Sequence, residues 1–228
     1  WCGRLRLVVR VGGSVVASPL NPTLMNQYAD LFRDLKGLGH DVAVVVGGGS
    51  LSRELIQAAR AMGLGEAAQD EVAISVSRVM AQLLALRLGK LGSLMVPTSI
   101  EVAAELFERG GIVVMGGLKP GMTTDAVAAL LADRVKADLL VKATDVDGVF
   151  TRDPKKYEDA KRLERLSFDD LFGFFEKERH EAGIHQVLDP EAVHKLQKRR
   201  IKTLVVNGFK PDNVLLAVKG EKVGTLIS

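Results

Sequence analysis

Asp41-Val42-Ala43-Val44-Val45-Val46-Gly47-Gly48-Gly49-Ser50 sets five aliphatic residues behind an acid and runs them straight into three glycines and a serine. An apolar run this short, closed by a turn signal, reads as a strand buried on both faces, which is the strand type of parallel sheets. Ser50 then stands where a cap would start a helix, and Gly63 marks its end. Strand, glycine turn and helix in that order make half of a βαβ unit.

The same grammar extends in both directions. Leu5–Val11 runs into Gly12-Gly13-Ser14, and Ile112–Met115 into Gly116-Gly117. Further strands are expected at Leu94–Pro97, Leu139–Ala143 and Thr203–Asn207, with a short last one near Val223–Ile227. Between them, Asn21-Pro22 is an N-cap with Pro at the first helical position, and Gly39 closes that helix. Ser99, Ser167 and Asp189-Pro190 start others, and Asp170 completes a capping-box pattern with Ser167. Glu66–Leu88 is helical by composition, with room for one break. The expected fold class is α/β, with a mostly parallel central sheet sandwiched by helices.

Composition narrows the function. Of 228 residues, 47% are hydrophobic and 26% charged, with 31 Lys+Arg against 28 Asp+Glu. That balance is globular and excludes disorder. A net charge of +3 without a dense basic stripe argues against nucleic acid, and Lys195–Lys202 reads as a solvated helix end. Plain aliphatic runs such as Val42–Val46 fall far short of the ~20 residues of a membrane span. Cys2 is the single cysteine, which fits a reducing, cytoplasmic setting. No Cys/His/Asp spacing resembles a zinc site, and no protein-held metal is expected.

Three glycine turns at strand carboxyl ends lie on one sheet edge, where ligands of open α/β sheets bind. Glycine lets the backbone approach an anion, and the next helix aims free N–H groups there. Three such turns suit a long, charged ligand such as a nucleoside triphosphate. Two familiar phosphate motifs fail. Gly116 to Thr123 has the Walker glycine spacing, but Met122 replaces the required Lys. Gly47-Gly48-Gly49-Ser50-Leu51-Ser52 lacks the third glycine of a dinucleotide fingerprint, and its distal acid, Asp70 or Glu71, falls in a helical pattern. Thr144-Asp145-Val146-Asp147-Gly148-Val149-Phe150, followed by Asp153-Pro154, is an acidic turn able to receive a ribose, an adenine edge or a Mg²⁺ shell, but it is no EF-hand.

In combination the loops are specific. Val9 to Ser14, Val45 to Gly49, Gly116 to Ala126 and Ala143 to Val149 occur in an order that resembles the amino acid kinase family, over Leu5 to Ser228. Within that family the chain is most similar to the archaeal-type UMP kinases. Gly116–Ala132, Asp147–Pro154, Glu181–Pro190 and the ending Val218–Ile227 carry the narrower resemblance.

The resemblance implies transfer of the γ-phosphoryl of Mg·ATP to the phosphate of UMP, in pyrimidine nucleotide synthesis, by positioning and charge neutralisation. It implies a single domain over residues 1–228, with an acceptor lobe to about residue 135 and an ATP lobe beyond. Gly13 and Ser14 match the loop at the transferred group, Gly48 a UMP contact and Gly49 an ATP contact. Arg53, one turn into the next helix, matches a residue at the phosphates. Asp70 matches an acid for the acceptor nucleoside. Leu118, Lys119, Pro120, Gly121, Met122, Thr123 and Thr124 match the loop that wraps UMP. Thr144, Asp145, Phe150 and Asp153 match the adenosine side. Asp125 matches an acid that organises the catalytic cation, and Arg10 stands where many members have Lys. Asp145 and Phe150 likewise replace a frequent Asn and Tyr. The family also implies a homohexamer, a trimer of dimers, and control by UTP.

None of the four histidines, His40, His180, His185 and His194, lies in a glycine turn. No general base is required, because the acceptor phosphate is already ionised. Two alternatives stay open. One is a kinase of the same fold for carbamate, acetylglutamate or isopentenyl phosphate. The other is a non-catalytic nucleotide- or oxoanion-binding module, which Arg10 in place of Lys keeps in view.

Overall fold

The computed structural model describes residues 3–93, 95–154, 156–178 and 188–228. In chain order the elements are β1 (Arg6–Val11), α1 (Gly13–Val16), α2 (Pro22–Gly37), β2 (Asp41–Val46), α3 (Gly49–Ala61), α4 (Glu66–Leu88), α5 (Ile100–Glu108) and β3 (Val113–Met115). There follow α6 (Thr124–Arg134), β4 (Leu139–Thr144), β5 (Arg165–Leu166), α7 (Phe168–Glu178), α8 (Pro190–Arg199), β6 (Lys202–Asn207), α9 (Asp212–Lys219) and β7 (Thr225–Ile227). The strands form one sheet in the order β3-β2-β1-β4-β6-β7-β5. Pairing is parallel except between β6 and β7. All six residues of β2 are buried, as its unbroken aliphatic run requires.

Alternate side chains of each strand feed two separate cores, since successive residues point to opposite faces. Leu7, Val9, Val44 and Val141 pack with Tyr28 and Phe32 of α2, Met80 and Leu84 of α4, and Val214 of α9. Val8, Val45 and Leu140 pack with Phe107 of α5, Leu131 of α6 and Leu196 of α8. Tyr28 is fully buried with its hydroxyl donating to Gly208 O at 2.7 Å. Burial pushes that phenol well above its ordinary range.

Several expected boundaries hold. Asn21 Oδ1 accepts from Leu24 N at 2.9 Å, Ser99 Oγ from Val102 N at 3.2 Å, and Asp189 Oδ1 from Ala192 N at 2.9 Å. Ser167 and Asp170 form a reciprocal capping box: each side chain accepts from the other's backbone N–H at 3.0 Å.

Others are corrected. The strand expected at Leu94–Pro97 is not found at 95–97, Leu94 lying outside the described residues: Met95 is exposed, and the chain pairs beside β3 earlier, with a parallel bridge from Gly92 to Ile112. Ser50 is not the cap of α3. Gly48 takes that place, because Gly49 at φ 64 starts the helix and the Ser50 hydroxyl donates to Ala17 O at 3.1 Å. The Glu66–Leu88 helix runs without a break. With its last turn it is long and apolar enough to cross a bilayer, a point that aliphatic run length misses. It serves instead as a sheet-covering helix, with Met80, Ala81, Leu84 and Leu88 in the core beside α2.

Candidate active site

The parallel order of β3, β2, β1 and β4 brings their carboxyl ends to one edge, and the glycine turns meet there. Gly12 N donates to Ala143 O at 2.8 Å, and Gly47 N to Val11 O at 3.1 Å. The glycines are required first by each other. A side chain on Gly13 would enter the backbone of Gly47 and Gly49. One on Gly48 would strike Ser52, and one on Gly116 would meet the Ser77–Arg78 backbone at 2.7 Å. The turns after β1 and β2 cross at backbone contact, and only glycine fits the space between them.

Under that space lies Arg10. Strand alternation sends it to the α6 face of β1, with its side chain only 16% exposed. Its guanidinium comes up beneath the turns: Nη1 would be 3.0 Å from a Cβ on Gly12, and Nη2 donates to Thr124 Oγ1 at 2.9 Å. Arg10 Nε and Asp125 Oδ1 lie 2.8 Å apart, an ion pair without the alignment of a hydrogen bond. Lys142 on β4, opposite Arg10 in the parallel register, donates to Asp125 Oδ2. Burial alone would raise the Asp125 carboxyl, but the charges of Arg10 and Lys142 outweigh it and hold it below the ordinary carboxylate range. Burial, with Arg10 adding to it, lowers the Lys142 ammonium against the pull of Asp125.

A cavity of about 610 Å³ opens beside this cluster, between α3, α4 and the loop that leads to α6. Gly48 and Arg53 border it from one side, Asp70 from α4, and Lys119, Gly121, Met122, Thr123 and Thr124 from the loop. Leu118 packs instead against the α6-side core, and Pro120 is not on the cavity wall. Asp70 Oδ2 accepts from Gly121 N at 2.7 Å, so the acid and the loop are already joined. Thr123 has a structural duty as well: its hydroxyl accepts from Ala126 N at 3.0 Å as the cap of α6 and contacts Asp189.

The residues matched to ATP are more dispersed. Gly13, Ser14 and Gly49 lie at the crossing of the glycine turns, and Arg53 is exposed at the mouth, with Nη2 3.5 Å from Ser18 Oγ. Thr144 ends β4 and donates to Asp145 Oδ1 at 3.2 Å. Phe150 is half-buried and bridged to Arg162, and the Asp153 carbonyl receives the backbone N–H of Lys156 and Tyr157. Thr144 closes β4, and the other three follow it along a separate loop. Among the described residues no three His, Cys, Asp or Glu side chains converge as a metal cage. His40 sits at the opposite sheet edge, accepting from Leu5 N, and His194 packs on Phe172. His180, His185 and most of the stretch 181–190 lie outside the described residues.

Two side chains at the site escape a motif reading. Arg78 donates from Nε and Nη2 to the carbonyls of Gly117 and Leu118, both at 3.0 Å, and pins the root of the loop to α4. Lys142 is the other. Its signal was a lone cation inside the apolar run Leu139-Leu140-Val141-Lys142-Ala143.

Comparison with known proteins agrees with this fold. The sequence model of the Amino acid kinase family matches residues 5–207. The uridylate kinase of Methanocaldococcus jannaschii is 41% identical over 225 residues, 98% of this chain and 99% of that protein. That of Methanothermobacter thermautotrophicus is 39% identical over 223 residues, again 98% and 99%. The crystal structure of uridylate kinase from Archaeoglobus fulgidus, 38% identical, superposes with a TM-score of 0.88 over 98% of this chain and 100% of the other. With its sheet order, glycine edge and full-length similarity, the chain belongs to the amino acid kinase family.

Proposed function

We propose that this chain is a UMP kinase that transfers the γ-phosphoryl group of ATP to the phosphate of UMP. The observation that carries the reading is the 610 Å³ cavity, in which Arg53, Asp70 and the 119–124 loop converge beside Arg10. Uridylate kinases at about the same length and 39–41% identity support the acceptor.

In this reading UMP enters the cavity with its ribose hydroxyls toward Asp70 and its phosphate toward Gly48 and Arg53. ATP lies across Gly13, Ser14 and Gly49, with adenosine along Thr144, Asp145, Phe150 and Asp153. A phosphate oxygen of UMP attacks Pγ, the bond from Pγ to the β-bridging oxygen breaks, and ADP leaves with that electron pair. The acceptor is already an anion, so no residue need take a proton. The Arg10 guanidinium, aimed by Asp125 and Thr124, faces the charge that spreads over the transferred group. Mg²⁺ would come as a companion of ATP, since no carboxylate cage stands ready for it among the described residues, and it would neutralise charge on the β- and γ-phosphates.

The acceptor lobe would run to about residue 135 and the ATP lobe from there, within one domain. The reading also places the chain in the cytoplasm, in pyrimidine nucleotide synthesis, under control by UTP. Self-association as a homohexamer is supported by the apolar residues left exposed at helical spacing on α3 (Leu51, Leu55) and α4 (Val79, Leu83, Leu86). The reaction is tested with ATP labelled in its γ-phosphate: label must pass to UMP and appear in UDP. Label released only as inorganic phosphate would contradict the reading.

A further inference from the structure

β4 is hydrogen-bonded on both edges, to β1 and β6, and all six of its residues are buried. A lysine there is out of place on stability grounds. Its neighbours Leu139, Leu140 and Val141 show what the position accepts, and its side chain is 6% exposed. Burying an ammonium is costly unless a counter-charge meets it. The counter-charge is Asp125, and Asp125 is already paired with Arg10.

Two cations in adjacent register therefore share one carboxylate. The register itself brings about this crowding: Arg10 pairs with Lys142, and both project to the face that α6 covers. Asp189, before α8, is the other acid near by. Its backbone N–H supports Asp125, and its charge favours the Lys142 ammonium. Thr124 on α6 completes the surroundings through its bond to Arg10. Arg10 reaches the glycine turns, with Nη1 at Gly12 and Nη2 at Gly47. Lys142 is spent on Asp125.

We propose that Lys142 is a positioning residue for phosphoryl transfer. It holds Asp125 ionised and fixes its second oxygen, so that the first stays on Arg10 Nε and the guanidinium stays beneath Gly12 and Gly47. The proposal rests on the kinase reading above and assigns a role to a side chain outside the nucleotide-contacting set. An Arg on β1 carries about as much rotamer freedom as a Lys would, and a carboxylate clamped from behind removes that freedom.

The test compares Lys142→Met, Lys142→Gln and Lys142→Arg with the unsubstituted chain, using Mg·ATP and UMP. The Met and Gln variants are expected to lose kcat by roughly 100-fold with KM for both substrates within about threefold, the pattern of a group that acts on the transition state. The acid limb of their kcat profile moves to higher pH, because Asp125 has lost one of the two cations that hold its proton off. Lys142→Arg keeps the charge, and both kcat and the acid limb are expected to stay near those of the unsubstituted chain, with kcat within about tenfold. If the Met variant does not fold, the Gln variant, which retains a donor toward Asp125, carries the comparison. A role in packing alone would leave the acid limb where it is in every variant. Turnover by the unsubstituted chain with an unmoved acid limb and unchanged kcat in the Met or Gln variant overturns this proposal alone. No UMP turnover by the unsubstituted chain overturns the kinase reading and this proposal with it.

Discussion

Arg10 on β1 and Asp125 on α6 approach to 2.8 Å, Nε to Oδ1, with their side chains only 16% and 10% exposed. The pair ties the strand that ends in the first glycine turn to the helix that follows the 118–123 loop. It couples the two halves of the proposed site through one carboxylate.

Arg10→Ala should therefore lower kcat by at least 100-fold while leaving the fold in place, because the residue left behind is small and Asp125 keeps Lys142. Asp125→Asn should do more damage to stability. It leaves two buried cations without their anion, which costs roughly 3–5 kcal/mol for a broken buried pair. Urea unfolding of both variants checks the contrast, and equal stabilities would contradict it.

Asp70→Ala should raise KM for UMP by tenfold or more and leave KM for ATP within about threefold. Asp70 lines the cavity proposed for the acceptor and holds the Gly121 N–H of the loop across it. Steady-state kinetics with each substrate varied in turn separates the two. A larger effect on ATP would move Asp70 out of the acceptor site.

Gly13→Ala tests the crossing of the turns. A methyl group there has no space against the backbone of Gly47 and Gly49, so the loops must part. The expected result is loss of activity with a destabilisation of roughly 1–3 kcal/mol, the usual range for overpacking. An active, fully stable variant would contradict this crossing.

Asp41 lies at the opposite end of β2 and gives a pH prediction independent of catalysis. Burial alone would raise its carboxyl, but hydrogen bonds and charge from Lys36 and Arg4 hold it below the ordinary range. The unfolded chain then binds the proton more readily, so stability rises with pH across the gap between the two values. The contribution is complete above the unfolded carboxylate range near about pH 4 and disappears as pH falls through the lower folded value. Asp41→Asn should thus cost roughly 1–3 kcal/mol at pH 7, and the difference should shrink in acid. Urea melts at both pH values measure it.

The sequence carried the sheet because its strands are buried on both faces and end in glycine. Asp41–Val46 needs no partner to be recognised. Leu94–Pro97 has the same apolar character, but the chain pairs beside β3 earlier, at Gly92, a tertiary fact that periodicity does not contain. β5 is two residues long and gives no pattern, and α9 lacks a capping side chain at its start. At the site, the loop residues were legible as motifs. Lys142 and Arg78 were not, because each acts through a contact across the fold: one to a carboxylate on α6, the other to carbonyls after β3. Thr123 was legible only in part, since its duty as the cap of α6 depends on where that helix begins.

The most direct measurement is ADP release in a coupled assay with Mg·ATP, comparing UMP, CMP, dUMP, AMP and GMP as acceptors at equal concentration. Turnover with UMP well above the others is the predicted result. ATP binding without ADP release for any of the five, or a preference for a purine nucleotide, would contradict the assignment of the cavity to UMP.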